Sequence, residues 1–394
     1  MAESEKIKNT GLRGVTVADT KVSLIDGQNG ILIYRGYRIE ELARNSTYEE
    51  TAYLLLHDAL PGEKTLMEFT AQLIDARTVP GFVIESLKQW PREARPMDVL
   101  QAAIPLLAIT DHEAAEETRE ANIRKAIRLI ARMPVIVAAW HRIRSGQEPV
   151  LPDKNLSHAA NFLSMLHGKK PDAETARDFD VCLVLHADHT FNASTFAARE
   201  VVSTQAHMYA GVAAAVGALS GSLHGGANAR VIKMLLELTN EKDIPGWVKQ
   251  QLVSGKKIMG LGHAVYKTMD PRARFLKEMG GRLGSKLGLE WLHTLSVAVE
   301  ENAVREFEAR GKTTIKPNVD FFSAPVYHMM GIPADIMTPV FAISRIAGWA
   351  AHIIEEKFGD AQEKPALYRP ESEYVGNYCG KTGCVYEPMG KRPG

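Results

Sequence analysis

The chain has 394 residues, more than one hydrophobic core usually serves, so two domains are expected. Its 45% apolar and 24% charged residues are typical of a soluble globular protein. The 47 basic and 47 acidic residues cancel, so no overall field draws the chain to nucleic acid or to an anionic membrane, and neither is expected as a partner.

The cysteine content and the hydropathy of the chain bear on its location. Cys182, Cys379 and Cys384 are too few for a disulfide framework and are typical of a reducing cytosol; the last two have no second pair to complete a zinc site. Residues 1–15 lack the apolar core of a secretory signal. Residues 209–221, taken as the longest apolar stretch, are shorter than the ~20 residues that span a bilayer. A cytoplasmic protein is expected.

The first predicted element is a β-hairpin over residues 22–39, which turns at Gly27–Gly30. Almost everything after it is predicted to be helical. In the first half of the chain, apolar residues recur at helical spacing over residues 39–60, 96–110 and 117–146. Pro61 ends the first of these helices, and the third is kinked or split near Pro134 and ended by Gly146.

The second half continues the helical pattern. Helices are predicted over residues 172–189, 192–219 and 291–310, and another from Ala227 or Asn228. The last helix is predicted to begin at Thr338, an N-cap residue followed by Pro339. Strands and helices do not alternate, so a Rossmann sheet is excluded and a mainly α fold with a minor N-terminal β-hairpin is predicted.

One internal region has its own composition. Residues 223–330 are richer in Gly and Lys, and glycine or proline turns lie at both ends. The sequence therefore predicts a smaller helical domain (223–330) inserted between the two parts of a larger helical domain (1–222 and 331–394), with hinges at its edges.

A histidine among glycines is the first candidate site. His224 lies in GSLHGGAN, where glycines let the backbone approach a ligand closely. A helix beginning at Ala227 places this histidine just before a helix N-terminus, whose dipole disfavours a positive imidazole. A neutral imidazole that donates a hydrogen bond is suited to polarising a carbonyl group. The alternative is a glycine-rich turn with a solvent-facing histidine, and the motif alone does not decide between them.

A basic glycine loop is the second candidate. His263 follows Gly260 and Gly262, and six Lys or Arg residues surround it between Lys256 and Lys277 against one acid, Asp270. Exposed amides lined by cations suit a phosphorylated or carboxylated ligand. The loop matches neither GxxxxGK[ST] nor GxGxxG. A solvated basic loop is the alternative interpretation.

The third candidate is Asp320, which two phenylalanines follow directly. Apolar surroundings raise the pKa of a carboxyl group and make it a base poised near neutrality. The alternative is that Asp320 caps a helix that starts nearby.

A lone arginine in the last long helix is the fourth candidate. Arg345 is the only fully charged residue between Ile336 and Ile354, and it projects beside Phe341 on a helix that is apolar nearly all round. A buried guanidinium needs an anionic partner, which is either a protein carboxylate or a substrate carboxylate bound bidentately.

The motif LHADH places His186 and His189 three residues apart, which is a weak signal for a metal site. No second pattern of carboxylate and histidine supports it, so no metal is expected.

Together these segments resemble the citrate synthase family, and the match covers nearly the whole chain. The motifs stand in that family's order: SLIDGQNGILIYRGYRIEELA, GSLHGGAN, GLGHAVYKTMDPRA, PNVDFFSAPVY, FAISRIAGWAAH and YRPESEYVG. The resemblance implies the citrate synthase fold, an almost all-helical homodimer in which the smaller domain closes over substrate. The length is similar to that of the short bacterial form.

The resemblance also implies the reaction, in which acetyl-CoA, a co-substrate, condenses with oxaloacetate and water to give citrate and CoA, with no permanently bound cofactor. His224, His263 and Asp320 match the catalytic residues. The positions that match oxaloacetate ligands are His189, Arg272, Arg345 and Arg369, the last reaching into the neighbouring subunit. The positions that match coenzyme A contacts are Leu223, Lys257, Ile258, Gly260, Leu261, Gly262, Ala264 and Asn318. The small domain would then bind coenzyme A, and the large one would form the dimer.

Three alternatives remain at this point. The segment HADHTFNASTF is similar to that of 2-methylcitrate synthases, which use propionyl-CoA, and one methylene is worth only ~1–3 kcal/mol of discrimination. Tyr266 and Lys267 stand where some relatives carry a basic residue, so the sequence does not identify the residues that contact the phosphates of coenzyme A. A homologue that binds CoA or dicarboxylates without turnover is a second alternative, although binding alone does not need Asp320. A metal-dependent hydrolase built on the histidines is the third.

Overall fold

The predicted hairpin belongs to a three-stranded antiparallel sheet. The computed structural model describes residues 11–12, 14–238, 240–376 and 380–392. Its strands are Ser23–Asp26 (β1), Ile31–Tyr34 (β2) and Tyr37–Arg38 (β3). β1 pairs with β2, and Asp26 faces Ile31 across the turn at Gly27–Gly30, so the hairpin is confirmed. β3 extends the sheet by a short strand that the sequence does not predict.

In the described residues up to His186, eight α-helices follow: Ile39–Asn45 (α1), Tyr48–His57 (α2), Glu63–Asp75 (α3), Gly81–Lys88 (α4), Pro96–Ile109 (α5), Arg119–Arg144 (α6), His158–His167 (α7) and Ala173–His186 (α8). The single helix predicted over residues 39–60 is wrong. Thr47 is extended and its side chain accepts a hydrogen bond from the Glu50 amide, so a new helix starts there. α6 continues through Pro134, so the alternative of a split is also wrong.

Eight more α-helices lie in the described residues after His186: Ala193–Ser203 (α9), Met208–Ser220 (α10), Ala227–Leu236 (α11), Ile244–Val253 (α12), Pro271–Leu287 (α13), Glu290–Ala309 (α14), Val319–Met329 (α15) and Met337–Phe358 (α16). The starts predicted for α11 and α14 are confirmed to within a residue. The single helix predicted over 192–219 is wrong, because His207 caps a second helix, α10. Thr338 does not cap α16, since the 3₁₀ turn Ala334–Ile336 leads straight into that helix. The mainly α fold is confirmed.

α16 lies at the centre of the large helical core, against α2, α6, α8, α9 and α10. Five apolar residues that recur at helical spacing on one face of α16 are all buried: Val340, Ile343, Ala347, Ala350 and Ile354. The stretch Ala334–Phe358 is long and apolar enough to cross a membrane. However, 94% of its most apolar part is buried inside the protein, as in a core helix. The prediction that residues 209–221 are the longest apolar stretch is therefore wrong.

The turn of the sheet lies against the loop before α13. The Lys267 amide donates to the carbonyl oxygen of Gly27 at 2.8 Å. A Cβ atom on Gly27 would collide with the Val265 carbonyl, and one on Gly30 would lie 2.8 Å from the Thr268 Cγ2. Glycine is therefore required at both positions, because only a bare backbone lets the sheet approach this loop so closely.

The cysteines depart from the expectation of a fully reduced protein. Cys182, which lies in α8, is free and buried, as expected of a small apolar residue. Cys384 is disulfide-bonded. Cys379, the other residue considered as a zinc ligand, lies outside the described residues.

Candidate active site

Residues from six parts of the chain meet at one place: His189 after α8, His224 before α11, His263 in the loop before α13, Arg272 in α13, Asp320 in α15 and Arg345 in α16. The rings of His189 and His263 have their centroids 5.3 Å apart. The charges of Arg272 and Arg345 act on the pKa of Asp320 and of His189, and Arg345 acts on the pKa of His224. Because charges act on a pKa over short distances, these relations and the ring contact indicate that the residues share one site.

His224 is held at one ring nitrogen. Its Nε2 accepts a hydrogen bond from the Ser194 amide at 3.2 Å and lies 2.8 Å from the Ser194 hydroxyl. The proton of the neutral ring is therefore assigned to Nδ1, which has no partner among the described residues. Burial, followed by the Arg345 charge, lowers the pKa of His224 to about 4. The structure thus has a neutral, half-buried donor, and the alternative of a solvent-facing histidine is wrong.

His263 is held in the opposite sense. Its Nδ1 accepts the amides of Val265 at 3.0 Å and Tyr266 at 3.1 Å, so the proton is assigned to Nε2. Burial, followed by the Arg272 charge, lowers the pKa of His263 to about 4. This imidazole is also neutral, and its Nε2 has no partner among the residues that the structure describes.

The glycine loop is tied to the segment that leads into α15. The Gly262 amide donates to the Lys316 carbonyl and the Asn318 amide to the Gly260 carbonyl, each at 2.9 Å. The Asn318 side chain also donates to the Gly262 carbonyl at 3.0 Å. The expectation of open amides along the loop is therefore wrong for Gly262. The two segments that carry His263 and Asp320 are joined instead.

Asp320 lies in the first turn of α15, where Asn318 is the cap and accepts the Asp320 amide at 3.0 Å. The alternative that Asp320 is itself the cap is wrong. No described residue donates a hydrogen bond to its carboxylate, and the adjacent Phe321 and Phe322 are buried. Burial raises the pKa of Asp320 to about 6, although the Arg272 and Arg345 charges act in the other direction. The group is a base poised near neutral pH.

Arg345 is buried with one edge of its guanidinium bound. Its Nε donates to the His186 carbonyl at 2.7 Å, and its Cζ lies 4.6 Å from the centre of the Phe341 ring. Within the described residues it forms no ion pair, so a protein carboxylate partner is not found. Burial lowers its pKa to about 10, which leaves it charged at neutral pH. A buried cation of this kind calls for an anionic ligand.

Arg272 is 2% exposed and already has a carboxylate partner. Its Nε and one terminal nitrogen donate to the two oxygens of Asp270 at 2.9 and 2.7 Å. Asp270 also caps α13 by accepting the Arg272 amide. The other terminal nitrogen has no described partner, so the ion pair orients the guanidinium and leaves one edge for a ligand.

His189 completes the set of buried residues at the site. Its Nε2 is 3.3 Å from the hydroxyl of Tyr266, and burial lowers its pKa well below 6.5. Its neighbour in the HADH motif, His186, is engaged elsewhere, with Nδ1 2.8 Å from the Cys182 carbonyl. Among the described residues no three His, Cys, Asp or Glu side chains are grouped as metal ligands.

Arg369 is exposed on the C-terminal segment, and no contact among the described residues joins it to the site of its own chain. The preceding residue is anchored, since the Tyr368 hydroxyl donates to Glu356 at 2.8 Å and the Tyr368 amide to the Ser203 hydroxyl at 3.3 Å. Of the positions expected to contact coenzyme A, Leu223, Lys257 and Ala264 are exposed, whereas the side chain of Ile258 is buried in the core. Ile258 can therefore face a ligand only through its backbone.

Four residues of the site were missed as candidates: Ser194, Tyr266, Asp270 and Trp349. Ser194 holds His224 and also accepts the Trp349 indole N–H at 3.2 Å. Asp270 pairs with Arg272, and Tyr266 lies between two of the histidines. The Asp-Pro start of α13 is a helix-cap signal that could have identified Asp270. No sequence signal identifies the other three.

The fold and the site define a mainly helical protein in which a carboxyl group, neutral imidazoles and buried, partly unpaired arginines are grouped, an arrangement suited to acid–base chemistry on an anionic substrate. The family model described as "Citrate synthase, C-terminal domain" matches residues 11–371. The chain is 42% identical over 392 residues to the citrate synthase of Synechocystis sp., covering 100% of this chain and 96% of that protein. It is 44% identical to citrate synthase 2 of Bacillus subtilis, covering 93% and 95%. The chain belongs to the citrate synthase family.

Solved structures agree with this assignment. The chain superposes on the citrate synthase of Pyrobaculum aerophilum with a TM-score of 0.90 and 38% identity, covering 97% of this chain and 95% of that one. The ternary complex of carboxymethyl coenzyme A and oxaloacetate with the citrate synthase of Thermoplasma acidophilum gives a TM-score of 0.89 at 33% identity, covering 97% and 98%. A 2-methylcitrate synthase of Corynebacterium glutamicum is 38% identical, covering 93% of this chain and 94% of that protein.

Proposed function

We propose that the chain condenses acetyl-CoA with oxaloacetate and water to give citrate and CoA. The observation that carries the proposal is the Asp320 carboxyl, which has no described hydrogen-bond donor and a pKa raised to about 6, in one site with two neutral histidines. A thioester methyl group is a weak carbon acid, so its deprotonation needs a base and simultaneous stabilisation of the enolate oxygen. Asp320 and His224 supply these two functions.

In the first step, the Asp320 carboxylate takes a proton from the methyl carbon of acetyl-CoA. The Nδ1–H of His224 donates to the thioester oxygen as negative charge develops there. A neutral imidazole suits this role, because its proton is shared with the oxygen and the enolate is stabilised without a full charge on the ring.

In the second step, the enolate carbon attacks the ketone carbon of oxaloacetate and a carbon–carbon bond forms. The Nε2–H of His263 donates to the ketone oxygen, which becomes the hydroxyl of citryl-CoA. Water then attacks the thioester of citryl-CoA and returns a proton to His263. The thiolate leaving group takes the proton that Asp320 removed from the methyl carbon, so citrate and CoA are released. Residues 223–330 act as a small domain and 1–222 with 331–394 as a large one; closure between them excludes water until the bond has formed.

Oxaloacetate is bound by His189, Arg272 and Arg345 of one subunit and by Arg369 of its partner. The buried, partly unpaired guanidinium groups of Arg272 and Arg345 support this assignment. The exposure of Arg369 supports its action across a homodimer. So do the exposed apolar side chains of the same C-terminal segment, among them Leu367, Val375 and Val385, which a partner subunit would cover.

Coenzyme A is bound along the glycine loop. In this proposal the enzyme is cytoplasmic and has no permanent cofactor. The contacts are the eight positions Leu223, Lys257, Ile258, Gly260, Leu261, Gly262, Ala264 and Asn318. Support comes from the hydrogen bonds that join this loop to the segment before Asp320, because they place a loop-bound thioester near the base. The exposed Lys257 provides a cation for the phosphates.

The test is thiol release by the purified protein with oxaloacetate, with acetyl-CoA and propionyl-CoA measured in parallel. Faster turnover of acetyl-CoA is the expected result. Faster turnover of propionyl-CoA would make the chain a 2-methylcitrate synthase, the second candidate, which the similarity to the Corynebacterium glutamicum protein keeps open. No thiol release from a folded dimer would contradict the mechanism and leave a non-catalytic binding protein.

A further inference from the structure

Tyr266 is a buried side chain at the site that the proposed mechanism does not use. It is 1% exposed. Its ring centroid lies 4.8 Å from that of His263 and 5.6 Å from that of His189. Its hydroxyl oxygen is 3.3 Å from Nε2 of His189, a long hydrogen bond of the kind that tightens when substrate completes a site.

The hydroxyl is the donor in this pair. Burial lowers the pKa of His189, with the Arg272 charge acting in the same direction, so the ring is neutral and carries one N–H. Burial raises the pKa of Tyr266, so the hydroxyl keeps its proton. A phenol O–H is a stronger donor than an imidazole N–H, and an imidazole nitrogen is a stronger acceptor than a phenol oxygen. The proton of His189 therefore lies on Nδ1, which no described residue binds.

We propose that Tyr266 is a positioning residue that keeps His189 in its Nδ1–H form. His189 then presents a donor to a carboxylate of oxaloacetate, whereas the other tautomer would present a lone pair and repel it. This inference rests on the proposed function, which makes His189 an oxaloacetate ligand.

The backbone around Tyr266 is held independently of its hydroxyl. The Tyr266 amide donates to Nδ1 of His263 at 3.1 Å, and the next amide, that of Lys267, donates to the Gly27 carbonyl at 2.8 Å. The substitution Tyr266→Phe leaves both of these bonds and the ring contacts in place. It therefore removes one hydrogen bond to His189 and little else.

The substitution Tyr266→Phe should raise the Kd of oxaloacetate about five- to tenfold, which corresponds to one neutral hydrogen bond. Isothermal titration calorimetry without a CoA substrate measures this Kd. The KM for oxaloacetate should rise in parallel while kcat stays within about twofold, because the bond orients a binding group and does not touch the reacting atoms. Tyr209→Phe is the matched control: it removes the hydroxyl of another buried tyrosine, bonded to Asp111, and should leave the Kd unchanged.

A double-mutant cycle separates positioning from packing. In a His189→Asn background, Tyr266→Phe should cause no further loss of oxaloacetate affinity. Additive losses in the cycle, or wild-type affinity in the Tyr266→Phe variant, would overturn the inference. Wild-type protein that neither binds oxaloacetate nor releases thiol would instead overturn the proposed function.

Discussion

At the scale of the residue, the protein holds three of the site side chains at one end and leaves the other end open. His224 is bound through Nε2 and His263 through Nδ1, and Arg345 is bound through Nε. The opposite nitrogen of each group has no partner within the described part of the chain. The donors are therefore oriented before substrate arrives, so little reorganisation is needed during the reaction.

Replacement of Asp320 by asparagine should lower turnover and yet stabilise the fold. Thiol release should fall by about three orders of magnitude or more, because the base is lost. Oxaloacetate affinity should remain within about twofold of wild type. The free energy of unfolding at pH 8 should rise by ~2 kcal/mol, since the ionised carboxylate is partly desolvated in the folded state.

The direction of the stability change follows from the pKa. Burial raises the pKa of Asp320 from 3.8 to about 6 in the folded protein, so the folded state binds its proton more tightly than the unfolded state. The group stabilises the fold below pH 4, and this contribution is lost as pH rises to about 6. Chemical denaturation of both proteins at pH 4 and pH 8 tests this. If Asp320→Asn changed the free energy of unfolding by the same amount at pH 4 and at pH 8, the prediction would be contradicted. The control is Asp75→Asn, which replaces an exposed carboxyl group on α3.

At the scale of the element, the glycine loop before α13 approaches α15 at backbone distance. Gly260 has φ of +80°, and a Cβ atom there would lie 2.8 Å from the Phe321 Cβ. Phe321 follows Asp320 directly, so a displacement of the loop would also displace the turn of α15 that carries Asp320.

The substitution Gly260→Ala should therefore affect both stability and catalysis. It should cost ~2–3 kcal/mol of unfolding free energy, from the positive φ and the collision with Phe321. It should also raise the KM for acetyl-CoA, because the loop must move away from α15. Gly262→Ala is the matched control, since φ is +85° there but a Cβ would meet only Ile315 at 3.9 Å. Thermal unfolding and steady-state kinetics of both variants test this prediction. Equal losses of stability and equal increases in KM in the two variants would show that the contact with Phe321 does not matter.

The sequence predicts elements and site residues to different extents. Helix α14 and the start of α11 could be predicted, because glycine turns and apolar periodicity are local signals. Thr338 resembles an N-cap, but a 3₁₀ turn precedes it and the helix begins earlier. The site residues that lie among glycines could be found for the same local reason.

The supporting residues could not be predicted, because their roles arise from contacts between distant parts of the chain. Ser194 contacts a histidine 30 residues away in the sequence, and Tyr266 contacts one 77 residues away. Both residues lie in segments that resemble motifs of the family, but nothing in those segments indicates which side chain each of them contacts. Such roles depend on how α9 and the loop before α13 are packed, which periodicity does not specify.

At the scale of the whole molecule, the proposed dimer makes each site depend on two chains. In that proposal, Arg369 of one subunit acts in the site of its partner, whereas Asp320 acts in the site of its own subunit. A dimer of one Asp320→Asn chain and one Arg369→Ala chain then has one damaged site with both defects and one intact site.

Mixing these two inactive variants after dissociation and reassociation should restore about a quarter of wild-type activity, since about half of the dimers are mixed and each has one working site. Thiol release before and after mixing measures this. If Arg369 acted within its own subunit, every site would carry one defect and no activity would return. Mixing two different Asp320 variants is the control and should restore nothing.

The hydrogen bond between the Lys267 amide and the Gly27 carbonyl joins the N-terminal sheet to the loop that carries His263. In the proposed division it links the large domain to the small one, so it must break whenever the two separate. If the two domains open as proposed, the exchange of this single amide proton with deuterium records how often they do so. An isotope label at one position can thus report the frequency of opening without a substrate, a dye or a second structure.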